Sequence, residues 1–223
     1  MNFWADLPQA LPGLQEGLWM TLKVLAFGVL GGIVIGTLLA LARLSRFTVL
    51  SQAAKLYVNY FRSVPLLLVL LWFYFAVPLI YNWVTGEFMT IDTAFASSVV
   101  AFMLFEAAYF SEIVRAGIQS ISKGQMNAAY ALGMTYGQTM RLIILPQAFR
   151  KMTPLLLQQS IILFQDTTLV YAVGLTDFFR SASVRGDLMG LLTPYIVFVG
   201  VVYFVISFIA SSLVKQLQRK ISV

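Results

Sequence analysis

Apolar residues dominate five stretches of this chain, each near the roughly 20 residues of helix that a bilayer's hydrocarbon core requires. They run over residues 18–42, 64–80, 94–117, 153–170 and 195–214. The second is short but solidly apolar, and the third carries charges late. The fifth is the cleanest: Pro194 opens it, at a position where its missing N–H would be unpaired anyway, and Lys215 closes it after an uncharged run. Residues 171–193 form a long connection with room for a short helix. The pattern predicts an all-α integral membrane protein of about five transmembrane helices, one domain over residues 1–223, without an internal repeat.

The segment 122–150 breaks the apolar rhythm and is too polar to span. Ser122-Lys123-Gly124-Gln125 fits the S-x-x-Q capping box, in which hydroxyl and glutamine each satisfy an orphan N–H. A short helix is expected to follow, with Met126, Ala129 and Tyr130 on one face and Gly133 at its end, where positive φ is often needed. Thr135-Tyr136-Gly137-Gln138 repeats the box. A second short helix follows with Tyr136, Met140, Ile143 and Ile144 on one face, and Pro146 is expected to stop it, because a proline pushes the residue before it out of the helical region. Neither helix can bury its apolar face alone. Such a bent pair suits the lipid headgroup layer or the groove of a partner protein.

Charge orients the chain. Placing the N-terminus outside leaves only Lys23, Arg180 and Arg185 of the 15 basic residues on the outer side. The positive-inside rule therefore selects N-out, C-in. It also accounts for the net charge of +6 as topology, so no nucleic-acid partner is implied. With 60% hydrophobic and 11% charged residues, the surplus apolar surface must face lipid or other subunits. The absence of Cys and His removes disulfides, thiolate metal sites and the commonest general base. No metal site and no catalytic residue are expected. No basic run precedes the first apolar stretch, so no cleaved signal peptide is expected.

Within the spans, Gly28, Gly32 and Gly36 recur every four residues. This spacing lays small side chains along one helix face and predicts a close packing seam between helices, within or between subunits. Glu106, Glu112, Arg115 and Asp166 sit in or near apolar spans, where charges are costly and face a cavity or a partner. Glu112 and Arg115 are three apart and can pair on one face. Glu106 lies deeper without a local partner. Asp166 stands among Gln165, Thr167 and Thr168, a group polar enough to line a pathway.

The polar segment resembles a known pattern. Gln125-Met126-Asn127-Ala128-Ala129-Tyr130-Ala131-Leu132-Gly133 followed by Ile144-Leu145-Pro146 is similar to the EAA loop of ATP-binding-cassette (ABC) importer permeases, with Asn127 where the family usually has Glu. Phe61-Arg62-Ser63-Val64-Pro65-Leu66-Leu67, Ser111-Glu112-Ile113-Val114-Arg115-Ala116-Gly117-Ile118 and Gln165-Asp166-Thr167-Thr168-Leu169-Val170 resemble three further motifs of polar amino-acid permeases. The wording around Phe105-Glu106-Ala107-Ala108-Tyr109 points to the glutamate/aspartate branch.

The resemblance implies a type I importer (MetI-like) fold in the bacterial inner membrane. It implies a second permease subunit, an ABC ATPase dimer that binds ATP and Mg, and an extracytoplasmic substrate-binding protein. Asn127, Ala128, Ala129, Leu132, Gly133, Met134, Leu145 and Pro146 would then couple to the ATPase. Ser63, Glu106 and Asp166, with Gln165 and Arg62 nearby, would line the substrate pathway. Arg62 is otherwise expected to anchor the inner membrane face by snorkelling, the reading favoured over substrate contact. The Asn127 departure weakens any salt-bridge role there and makes a sister subunit, hence a heterodimer, the expected pairing. The chain has no G-x-x-x-x-G-K-[ST] phosphate loop, so it is expected to bind no nucleotide or other cofactor itself. A secondary transporter would more often carry two related halves, and a membrane enzyme would need reactive groups this chain lacks.

Overall fold

The structure, a computed structural model, describes residues 2–88 and 92–221. Helix α1 runs Phe3–Arg43, α2 Thr48–Ser63, α3 Leu66–Thr85 and α4 Thr93–Gln119. Two short helices follow, α5 (Lys123–Ala131) and α6 (Tyr136–Thr139), then a π turn at Met140–Ile144 and α7 at Leu145–Asp166. A 3-10 segment (Thr167–Val173), α8 (Phe178–Met189) and α9 (Leu192–Ile221) complete the chain.

Helices α1, α3, α4 and α9 are each long and apolar enough to cross a membrane. The fourth crossing of the sequence analysis takes another form. The run Tyr136–Val173 qualifies only together with α8, across a 50° bend, because Arg150, Lys151, Gln158, Gln159 and Gln165 dilute its apolar character.

Helix α4 is the hub, packing against α1, α2, α3 and α7. Asp92 starts it by accepting the N–H groups of Ala94 (2.9 Å) and Phe95 (3.3 Å). Its Ala101, Phe102, Phe105 and Ala108 join Val24 of α1, Val58 of α2, Val69 and Leu70 of α3 and Leu163 of α7 in the main core. A second core at the other end of α1 gathers Ala10 and Leu14 with Phe164, Phe178, Ala182, Tyr195, Val199 and Tyr203.

Helix α1 carries one buried stripe along its whole length: Asp6, Ala10, Leu14, Gly17, Thr21, Val24, Gly28, Gly32, Gly36 and Ala40. The steps of three and four residues keep all ten on one face. At Gly32 an added Cβ would lie 3.0 Å from the Glu106 Cβ and the Phe110 ring; at Gly36 it would lie 2.9 Å from the Ala107 carbonyl and 3.0 Å from the Ser111 nitrogen. The glycine face thus packs within the subunit, backbone against backbone.

Several expectations are corrected. Helix α1 begins fifteen residues before the expected residue 18, despite Pro8 and Pro12; both prolines are on the exposed side, where water can satisfy the carbonyls they leave unpaired. Helix α2 was not expected. It is amphipathic and buries Ser51, Ala54, Val58 and Phe61 at steps of three and four. Pro146 does not stop the chain's helix. The backbone passes through it into α7, because the wider turn just before it, in which the Leu145 N–H reaches the Met140 carbonyl five residues back, absorbs the missing donor. The Thr135–Gln138 capping box forms in full. At Ser122 only half of a box forms: its hydroxyl accepts the Gly124 N–H at 3.2 Å, while the Gln125 side chain meets Gln147 instead.

The stripe can be tested. Gly36→Ala is expected to lower the stability of the detergent-solubilised protein by about 1–3 kcal/mol, since backbone atoms cannot move aside. Gly28→Ala, which meets the flexible end of Leu163, should cost less, and Gly13→Ala, with nothing within 4 Å, should cost nothing. Equal thermal midpoints for the three variants would contradict the close approach.

Candidate functional site

Polar residues of α4 recur along its inner two-thirds, and each has found different company. Glu106 is wholly buried. The Gln159 amide of α7 donates to both its oxygens, at 3.1 and 3.3 Å. Helix α7 packs on α4, which is what brings an i-position on one span to a mid-span carboxylate on the other. Glu106 lies within electrostatic reach of Asp166, the last residue of α7. One turn further along α4, the Arg62 guanidinium lies over the Tyr109 ring, 5.6 Å from the centroid.

One more turn along, Glu112 is a junction. It accepts hydrogen bonds from Arg43 of α1 at 2.9 Å and from Arg115 of its own helix at 2.7 Å, and pairs with the Arg62 guanidinium of α2 at 3.2 Å. Arg115 also donates to Gln119. One carboxylate therefore joins three helices and answers three guanidinium charges. The Arg43 side chain is only 8% exposed, that of Arg62 44%. Arg43 is thus a structural partner, whereas Arg62 keeps a face free between the junction and Tyr109.

The other expected pathway residues are not gathered at one point. Ser63 ends α2 and is exposed, as is Gln165. Gln165 and Thr168 line a cavity of about 660 Å³ with Leu67 of α3, Phe179 of α8 and Val199, Gly200 and Tyr203 of α9. Leu67 follows the Val64-Pro65 break between α2 and α3, so the two motifs meet at this cavity. Glu106 and Asp166 are outside its lining.

In the 122–150 segment, Asn127, Ala128, Leu132 and Gly133 are exposed, Ala129 is buried, and Met134 and Leu145 are half-buried. Gly133 takes φ 75°, and its N–H closes on Tyr130 at 2.9 Å. Leu132 is 82% exposed, and Tyr130, Tyr136 and Leu142 are also exposed; together they leave an uncovered apolar surface on the polar loop. The loop is tied to the spans by Lys151, which donates to the Ser120 carbonyl at 3.1 Å.

Sequence reasoning missed Gln159, Tyr109 and Arg43. A glutamine within an apolar span was a signal for the first. Nothing local marks Arg43, 69 residues from Glu112, as its partner. Among the described residues, no group of three or more His, Cys, Asp or Glu could hold a metal ion.

Comparison with known proteins identifies the family. A family model described as binding-protein-dependent transport system inner membrane component matches residues 32–223. The chain is 55% identical to the glutamate/aspartate import permease protein GltK of Escherichia coli O157:H7, over 97% of each chain. It is 35% identical to the arginine transport system permease protein ArtQ of Bacillus subtilis, over 99% of this chain and 97% of that one. A crystal structure of an amino acid ABC transporter with histidines superposes with a TM-score of 0.87 at 30% identity, over 99% of both chains. An inward-facing MetNI methionine ABC transporter, at 21% identity and a TM-score of 0.73 over 99% of both chains, shares the fold. The chain belongs to the family of binding-protein-dependent transport system inner membrane components. It is an inner-membrane permease subunit of the ABC importer class, and not itself an enzyme.

The Glu112 junction yields an ordering. Glu112→Gln leaves three guanidiniums without their shared anion and is expected to cost about 1–3 kcal/mol, more than Arg115→Gln, which leaves Glu112 two partners. Thermal unfolding of the detergent-solubilised complex reads the order, and the reverse order would remove the junction as an anchor.

Proposed function

We propose that the chain forms half of the translocation pathway of an importer for acidic amino acids, glutamate and aspartate. The observation that carries the substrate is the 55% identity, over nearly the whole of both chains, to a glutamate/aspartate import permease. The site chemistry agrees with it. Glu106 and Asp166 offer carboxyl oxygens to the substrate ammonium, and Arg62, with a free face beside Tyr109, offers a fork to a carboxylate. Ser63 and Gln165, both exposed, complete the pathway from the second subunit's side. A buried mid-span carboxylate with one amide for company fits the pattern of intramembrane charges that face a substrate route.

The pathway needs a second permease subunit, and a sister chain suits it better than a copy, since Asn127 stands at a position where the family usually carries Glu. An ATPase dimer grips the loop 122–150 of each permease and supplies ATP and Mg. The exposed Leu132, with Ala128 and Gly133 beside it and Met134, Leu145 and Pro146 behind, is the docking face on this chain. An extracytoplasmic binding protein delivers the substrate.

Two measurements test these assignments. In proteoliposomes holding the whole assembly, Glu106→Ala and Asp166→Ala are each expected to cut binding-protein-dependent glutamate uptake at least about tenfold, the loss of one charge-assisted contact; unchanged kinetics in both would remove the pathway assignment. Leu132→Asp should strip the ATPase from the purified permease, and co-purification at the normal ratio would remove the docking face.

A further inference from the structure

The outer end of α1 is bolted to α8 and α9. Asp6 is wholly buried. The Arg185 Nε of α8 donates to its Oδ2 at 2.9 Å, and Arg185 Nη2 closes the fork on Oδ1. The Tyr195 hydroxyl of α9, also wholly buried, donates to the same carboxylate at 2.6 Å. Arg185 further reaches Gln9 at 3.4 Å. Three turns along the stripe, Gly17 lets the start of α8 lie against α1: a Cβ there would fall 2.6 Å from the Asp177 carbonyl oxygen. One turn beyond, the Thr21 hydroxyl accepts the Phe178 N–H at 3.1 Å. A desolvated carboxylate persists only with such partners, and losing one is costly.

Helix α8 is in turn tied to the segment that carries Asp166. Only the seven-residue 3-10 segment Thr167–Val173 and a short link with Gly174 at φ 81° lie between them. Arg180 donates to the Tyr171 carbonyl at 3.4 Å and lies over the Tyr171 ring. The Leu175 N–H returns to the Val170 carbonyl at 3.3 Å. Thr167, Val170 and Val173 are buried, so the segment cannot shift independently of its surroundings. The family model begins at residue 32, so Asp6, Gly17 and Thr21 precede the part it matches.

We propose that Asp6, Arg185 and Tyr195 form a positioning clamp. It holds α8 against the outer part of α1 and, through the 3-10 segment, sets where Gln165 and Asp166 stand. The clamp touches no substrate; it acts on the pathway through Asp166, and so rests on the pathway reading above. Without it α8 keeps the apolar packing of its Phe178 and Ala182 on Tyr195, but the arm that carries Asp166 loses its fixed end.

The test compares Asp6→Asn, Arg185→Lys, Asp166→Asn and the double variant Asp6→Asn/Asp166→Asn, in the complete assembly in proteoliposomes. Binding-protein-dependent uptake of labelled glutamate is measured beside the thermal midpoint of each complex. Asp6→Asn preserves size and an acceptor for Tyr195 but removes the ion pair. It is expected to raise the KM for uptake about fivefold with Vmax within about twofold. Arg185→Lys, which keeps the charge but not the fork, should fall between it and the wild type, and it carries the same expectation if Asp6→Asn does not assemble. The double variant should be no worse than Asp166→Asn alone. A lowered thermal midpoint with unchanged KM, or additive losses in the double variant while Asp166→Asn alone is impaired, would overturn the clamp and leave the pathway reading standing. An unimpaired Asp166→Asn would instead overturn the pathway reading, and the clamp's route with it.

Discussion

The structure depends on how closely α1 approaches α4. Inside a membrane, apolar side chains gain little by leaving lipid for protein, so helices are held by van der Waals contact and by whatever polar groups they share. The glycines at 28, 32 and 36 bring the α1 backbone to the Ala107 carbonyl and the Ser111 nitrogen of α4. That distance decides the rest. It places Arg43, one further step down the stripe from Ala40, within 2.9 Å of Glu112, and it presses the stripe against the Cβ of Glu106, leaving that side chain to turn towards Gln159 of α7.

The two α4 glutamates then diverge through their neighbours alone. Glu112 is oversupplied: three guanidiniums from three helices converge on it, and its charge is spent on holding those helices' ends together. Glu106, six residues away, has a single neutral amide, and Asp166 nearby carries the same sign as itself. Arg62 pairs with Glu112 at the longest of the three distances and lies over the Tyr109 ring. The neighbours thus separate a triply paired acid from one held by a single neutral amide on the same helix.

What could be read from the sequence follows the range of the interaction concerned. Local features were legible: the glycine spacing, the Thr135–Gln138 box, the positive φ at Gly133, and the membrane crossings by α1, α3, α4 and α9, all of which depend on residues within a few positions of one another. Helix α2 carried its signal too, in Ser51, Ala54, Val58 and Phe61, but its mean polarity hid it beside the spans. Pro146 misled because the rule for the residue before a proline assumes an ordinary α-turn, and a π turn removes that assumption. The pairings of Arg43 with Glu112, Gln159 with Glu106 and Asp6 with Arg185 join residues 53 to 179 positions apart. No local pattern encodes such pairs, and only the packing of the helices that carry them brings the partners together.

Three of the interruptions of the helical backbone can be followed through what surrounds them. In hydrocarbon an unpaired N–H or C=O has no water to turn to, so departures from the α-helical ladder survive only where protein covers them or where they border a cavity. The Val64-Pro65 break leads into Leu66, Val69 and Leu70, all buried, and Pro65 still receives the N–H groups of Leu68 and Val69 at 3.0 and 3.3 Å. The π turn is shielded by Thr139 and Ile144, and the 3-10 segment by Thr167, Val170 and Val173. Each of the three also adjoins a functional element: Ser63, the 122–150 loop and Asp166. A regular ladder is the stiffest state a span can take. These three segments interrupt that ladder in this chain.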